Sequence, residues 1–165
     1  MSFPLSKEAI LEVAKSYKVF VESNGNVDLY PKELMALESK ANYCKYIFGT
    51  LLHGLLFFLI AISKQIRLWW LVLFFAKIRI VTDSWSFEPR QCGYNQAYTL
   101  VGLYRLRNKN VSGAITALKE SWQVYPCPHN TTFGLSRELI VQLSKYPEAK
   151  LAIAEYIEIY NSFKA

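Results

Sequence analysis

Charge is scarce in this sequence, and from Tyr46 to Ser63 it is absent, with no Asp, Glu, Lys or Arg interrupting the stretch. Histidine is nearly missing too, with only His53 and His129, and the three cysteines, Cys44, Cys92 and Cys127, stand far apart without a C-x-x-C pair. That spacing argues against a disulfide framework and a zinc ribbon, and points to a reducing compartment, with the bulk of the chain on the cytoplasmic side. There is no Gly-rich phosphate loop, no H-E-x-x-H and no G-x-S-x-G; the familiar phosphate, zinc-protease and serine-hydrolase chemistries have no foothold. No catalytic residues, metal or cofactor are expected. The first residues lack a basic segment followed by an apolar one, so no cleavable secretory signal is read there.

What is plentiful is apolar and aromatic surface, at 52% and 15% of the 165 residues. It is concentrated in two runs, Tyr46–Ser63 and Leu68–Ala76, separated by Lys64, Gln65, Ile66 and Arg67. The first is apolar around the whole helix circumference and would rise about 27 Å, close to the lower limit for a bilayer core of about 30 Å. The second is too short to cross, yet its Trp69–Trp70 pair beside Arg67 and Lys77 suits a membrane interface. Membrane contact is expected at Leu55, Phe58, Trp69, Trp70 and Phe74. The competing reading buries both runs as central helices of a soluble bundle, although a chain of this size hardly encloses two. The net charge of +6 is carried by scattered cations, which speaks against nucleic acid. Lys40, Lys45, Lys64, Arg67, Lys77 and Arg79 flank the apolar runs and suit anionic lipid.

Punctuation divides the chain into an N-terminal helical part (1–45), a hydrophobic, membrane-associated helical segment (46–81) and a C-terminal helical part (82–165). Ser6 caps a first amphipathic helix ended by Asn24-Gly25, and Pro31 opens a second that runs into the apolar stretch. After a polar connection from Thr82 to Gly93, helices are expected over Tyr94–Arg107, Ser112–Tyr125, Thr132–Ser144 and Pro147–Phe163. The fold class is all-α.

Within the last part, Tyr98, Val101, Gly102, Ala114, Leu118, Ser121 and Pro126 stand at spacings that resemble the tetratricopeptide repeat, a 34-residue helix-turn-helix. The resemblance covers about Tyr94 to Phe163. It departs where an aromatic residue is expected three positions after Gly102, since Arg105 stands there and Tyr104 comes one early. It implies helical hairpins in which Gly102 and Ala114 let paired helices approach, Leu118 and Tyr98 fill the groove between them, and Pro126 ends the second helix. It also implies a shallow interaction groove lined by Tyr94, Tyr98, Arg105 and Arg107, with Trp122 and Tyr125 nearby.

The function expected is a non-catalytic membrane-associated scaffold or accessory subunit that binds a protein partner or joins a larger complex. A soluble helical-repeat protein with an oligomer interface is the alternative, as is an enzyme using Cys127, His129 and a carboxylate from elsewhere in the fold. His53, in a run without carboxylates, reads as a neutral imidazole bonded to a neighbour.

Overall fold

Helix formers dominate the chain, and Pro147 opens the 3-10 turn ahead of the last helix, so local propensity and punctuation agree there. The structure, a computed structural model, describes residues 7–12, 15, 40–85, 92–124 and 135–163, the side chains of residues 40–46, 84, 92 and 163 excepted. It is all-helical, with no strand among the described residues. The helices are α1 (helical at residues 7–12 and 15), α2 (Lys40–Gln65), α3 (Trp69–Val81), α4 (Cys92–Arg107), α5 (Val111–Ser121), α6 (Glu138–Leu143) and α7 (Lys150–Phe163). Short 3-10 turns lie at Asp83–Trp85 and Pro147–Ala149. The expected ends at Asn24-Gly25 and Pro126, the start at Pro31 and the cap at Ser6 lie outside the described residues.

Two tight turns set the geometry of the hairpins. At the end of α2, Leu68 N–H donates to the Ser63 carbonyl and Arg67 N–H to the Lys64 carbonyl, while Arg67 holds φ at 61°. At the end of α4, Asn110 N–H donates to the Arg105 carbonyl and Lys109 N–H to the Leu106 carbonyl, with Lys109 at φ 59°. Both are Schellman ends, which satisfy carbonyls that the helix leaves open. In each, a basic residue occupies the left-handed position that glycine usually takes. The second turn is then locked by Asn110, whose side chain accepts from Gly113 N–H at 2.8 Å and caps α5.

Consecutive helices pack on one another: α2 on α3, α3 on α4, and α4 most extensively on α5. Helix α6 then rests on both α4 and α5, and α7 on α5. The core runs through the interfaces of α3 to α7, with Val72, Ala97, Ala114, Ala117, Leu118, Leu139, Leu143, Tyr156 and Ile159 fully enclosed. Ile10 of α1 joins it, and Lys7 donates to Glu158 of α7 at 2.5 Å.

Gly102 does have a packing role, with a different neighbour from the one the repeat resemblance implies. A Cβ there would lie 2.3 Å from Leu139 Cδ2, so the missing side chain makes room for α6 rather than for α5. Ala114 and Leu118 are fully buried, as close approach of α5 requires. Pro126 lies outside the described residues.

Two expected helices are shorter than their sequence patterns. Helix α5 stops at Ser121 instead of running to Tyr125, and α6 begins at Glu138 instead of Thr132. One buried side chain accounts for both differences. Asn95 of α4 donates from Nδ2 to the Ser121 carbonyl at 2.9 Å and accepts at Oδ1 from Ser136 N–H at 2.8 Å. Peptide groups that would extend either helix are therefore bonded to Asn95.

Candidate functional site

The apolar surface comes from the α2–α3 hairpin. Along α2, Phe48, Leu51, Leu55, Phe58 and Ile62 recur in steps of three and four residues and are all exposed. Gly49, Leu56, Ile60 and Ser63 lie on the buried side. On α3, Val72 and Ala76 are enclosed, whereas Trp70, Phe74, Lys77 and Val81 face outward. Ile47–Gln65 is long and apolar enough to cross a membrane, yet only 22% of its apolar window is buried. The central helix of a soluble bundle would be mostly enclosed.

The two helices are held together by small and polar groups. A Cβ on Gly49 would lie 2.0 Å from the Trp85 carbonyl oxygen, so α2 sits directly on the backbone of the 3-10 turn. Phe48 packs beside the Trp85 ring, centroids 6.5 Å apart. One helical turn further on, His53 Nε2 lies 3.0 Å from Thr82 Oγ1. The Thr82 hydroxyl proton is committed to the Ile78 carbonyl at 2.8 Å, so Thr82 accepts and His53 carries its proton on Nε2. Burial, with the positive charge of Arg79 nearby, holds the imidazole below its ordinary pKa. His53 thus fits the expectation of a neutral histidine bonded to a neighbour.

The register of the hairpin follows from the His53–Thr82 bond and the turn at Arg67. It sets Lys77 and Arg79 level with Phe58 and Leu56, about halfway along the apolar stretch. Charged groups at that depth would be costly in a bilayer centre. Helix α4, carrying the buried polar residues Asn95 and Thr99, packs along α3 on its inner side. Both features speak against this hairpin crossing a bilayer.

The residues expected to line an interaction groove do not share one open face. Tyr94 and Trp122 are buried, at 5% and 7% exposure, and serve the core. Tyr98 is half-buried against Tyr94, ring centroids 4.8 Å apart. Arg105 donates to the Gly113 carbonyl at 2.7 Å and closes the α4–α5 hairpin. Arg107 is exposed and stacks on Trp69, its guanidinium carbon 3.8 Å from the ring centroid. Tyr125 lies outside the described residues.

The residues expected to contact a membrane are more coherent. Leu55, Phe58, Trp70 and Phe74 are each at least 53% exposed, while Trp69 is half-buried beneath Arg107. The feature missed in sequence is Asn95 with Tyr156: nothing marks a polar residue inside a helix as buried until the partner helices are in place. Cys127 and His129 lie outside the described residues. Among the described residues no group of His, Cys, Asp or Glu is arranged to hold a metal ion.

Comparison with known proteins finds no matching family model, no matching curated protein and no matching solved structure.

Proposed function

We propose that this chain is a non-catalytic scaffold that docks on a membrane surface through the α2–α3 hairpin and offers its C-terminal helices to a protein partner. The observation that carries the reading is the row of exposed apolar side chains on α2, continued by Trp70 and Phe74 on α3. A patch of this size on a soluble monomer would cost solubility unless something covers it. Trp residues beside Arg67 and Lys77 favour the lipid–water boundary as that cover. With the hairpin lying flat, Lys77 can extend its charged end towards water while its stem lies along apolar surface.

The tetratricopeptide-like reading of the C-terminal part is supported by the order of packing. In such a stack the first helix of each hairpin rests on both helices of the hairpin before it, and second helices rest on one another. Here α6 rests on α4 and α5, and α7 on α5. Helices α6 and α7 make little contact with each other, so the second pair is an incomplete hairpin, and a partner or larger complex would complete the scaffold.

Flotation of the full chain with phosphatidylcholine vesicles tests the membrane reading. Co-flotation is expected, and Leu55→Glu, Phe58→Glu and Trp70→Glu are each expected to reduce it sharply without lowering helix content. A chain that stays with the soluble fraction as a monodisperse monomer would overturn it. A second reading has its own support: the three-and-four spacing of Phe48, Leu51, Leu55, Phe58 and Ile62 also suits packing against a second copy. In that case sedimentation would give a dimer in the absence of lipid, dissociated by the same substitutions.

A further inference from the structure

Where the α2–α3 turn meets the C-terminal body there is a cleft of about 310 Å³, with Trp69, Leu103 and Leu106 on its apolar side and Arg107, Gln142, Lys145 and Tyr146 among its polar residues. Glu138 also borders it, but its carboxylate is engaged by Lys64, at 2.9 and 3.0 Å from the two oxygens. With that charge matched, Arg107 and Lys145 leave the cleft positive.

Arg107 is prepared for an anion in a specific way. Its guanidinium lies over the Trp69 indole, and among the described residues it makes no ion pair with a carboxylate. Stacking occupies the face of the guanidinium and leaves its N–H edge free, which is the geometry that grips a phosphate with two parallel hydrogen bonds. Lys145 has only a long contact to Gln142, at 3.5 Å, and can add a second charge. Tyr146 and Gln142 offer neutral hydrogen-bonding groups.

The position of the cleft narrows the ligand. Trp69 belongs both to the cleft and to the first turn of α3, beside exposed Trp70 and the Arg67 turn. If the hairpin lies on a membrane, the cleft opens at the level of lipid head groups. We infer that it binds the phosphate head group of an anionic phospholipid, with the glycerol region resting on Leu103, Leu106 and Trp69. The inference rests on the membrane reading above. It adds a specific head-group contact to the general attraction for anionic lipid that Arg67 and Lys77 of the hairpin supply.

The test compares flotation of the full chain with phosphatidylcholine vesicles and with vesicles that also contain phosphatidic acid. Wild type is expected to bind the second more tightly. The double variant Arg107→Gln/Lys145→Gln is expected to lose that preference by about tenfold or more, with phosphatidylcholine binding unchanged. The charge-matched control Lys109→Gln/Lys150→Gln, on exposed residues that do not line the cleft, is expected to keep most of it. Arg107→Lys retains the charge without the planar fork, and is expected to lose a large part of the preference. Equal losses in the cleft and control variants would reduce the effect to general surface charge and overturn the inference. Binding to phosphatidylcholine with no preference for phosphatidic acid would overturn it while leaving the membrane reading standing. Failure to bind any vesicle would overturn both. Soluble glycerol phosphate separates lipid from free phosphate ester: if it quenches or shifts tryptophan fluorescence without vesicles, and Arg107→Gln abolishes the change, the ligand is a soluble phosphate ester and the lipid assignment falls.

Discussion

Asn95 donates its side-chain amide to the hydroxyl of Tyr156 at 3.2 Å, joining α4 to α7 across 61 positions of sequence. Tyr156 in turn donates to the Ser136 carbonyl at 2.6 Å. With the Asn95 bonds to Ser121 and Ser136, both side chains are deeply buried and tie the end of α5, the approach to α6 and α7 to one point. Burial pushes the Tyr156 hydroxyl above its ordinary pKa, so it remains a donor throughout the physiological range.

This network makes Asn95 the more costly loss. Tyr156→Phe removes the donor to Ser136 and one Asn95 partner, and should destabilise the fold by about 1–3 kcal/mol. Asn95→Ala strands Ser121, Ser136 and Tyr156 together and should cost more than about 3 kcal/mol. Urea unfolding followed by circular dichroism would measure both. A milder effect for Asn95→Ala than for Tyr156→Phe would contradict the assigned roles.

Three glycines should respond to alanine in a fixed order. At Gly49 a Cβ would meet the Trp85 backbone, which cannot step aside without moving the 3-10 turn. At Gly102 it would meet the methyl end of Leu139, which can rotate at a cost of about 1–3 kcal/mol. At Gly54 it would meet nothing, and alanine should stabilise the helix by up to about 1 kcal/mol. Melting temperatures should therefore rank Gly54→Ala above wild type, wild type above Gly102→Ala, and Gly49→Ala lowest.

The sequence made the helices and the apolar hairpin legible because those signals are local. Pro147, Asn110 and the uncharged run act on their own neighbourhoods, and residues such as Leu55 and Phe58 are exposed as their run length suggests. Contacts between distant helices were harder to read. Tyr94 and Trp122 look like groove residues in one dimension, and only the packing of α3 to α7 shows them buried. The short α5 and late α6 escaped for the same reason: apolar periodicity continues past Ser121, but Asn95 takes the peptide groups a longer helix would need. In sequence, Arg107 reads as a residue of the interaction groove. Its stacking on Trp69 required the α3–α4 contact.

Lys109 offers a gain rather than a loss. It holds φ at 59° in the Schellman turn between α4 and α5, a region that disfavours any residue with a Cβ. Lys109→Gly should relieve that penalty and, after the larger entropy loss of glycine on folding, raise stability by about 0.5–1 kcal/mol. A calorimetric melt is the check. A lower melting temperature would mean that the lysine side chain contributes more to the turn than its backbone costs.

His53 gives the fold a pH dependence whose sign can be worked out. The folded state keeps the imidazole neutral through burial and the charge of Arg79, so its pKa lies below the ordinary 6.5 that applies on unfolding. Above pH 6.5 both states are neutral and the stability associated with the neutral ring is fully present. As pH falls below 6.5 the unfolded chain takes up its proton first, and stability drops until the pH passes the lower folded value. The Nε2–H bond to Thr82 survives protonation, so the loss comes from burying charge near Arg79. Thermal melts in mild detergent between pH 7.5 and pH 5 should show a falling melting temperature for wild type, using about pH 5 as a floor because carboxylates dominate below it. His53→Gln can still donate to Thr82 but does not titrate, and should flatten that part of the curve. An unchanged slope in His53→Gln would place the dependence on another group.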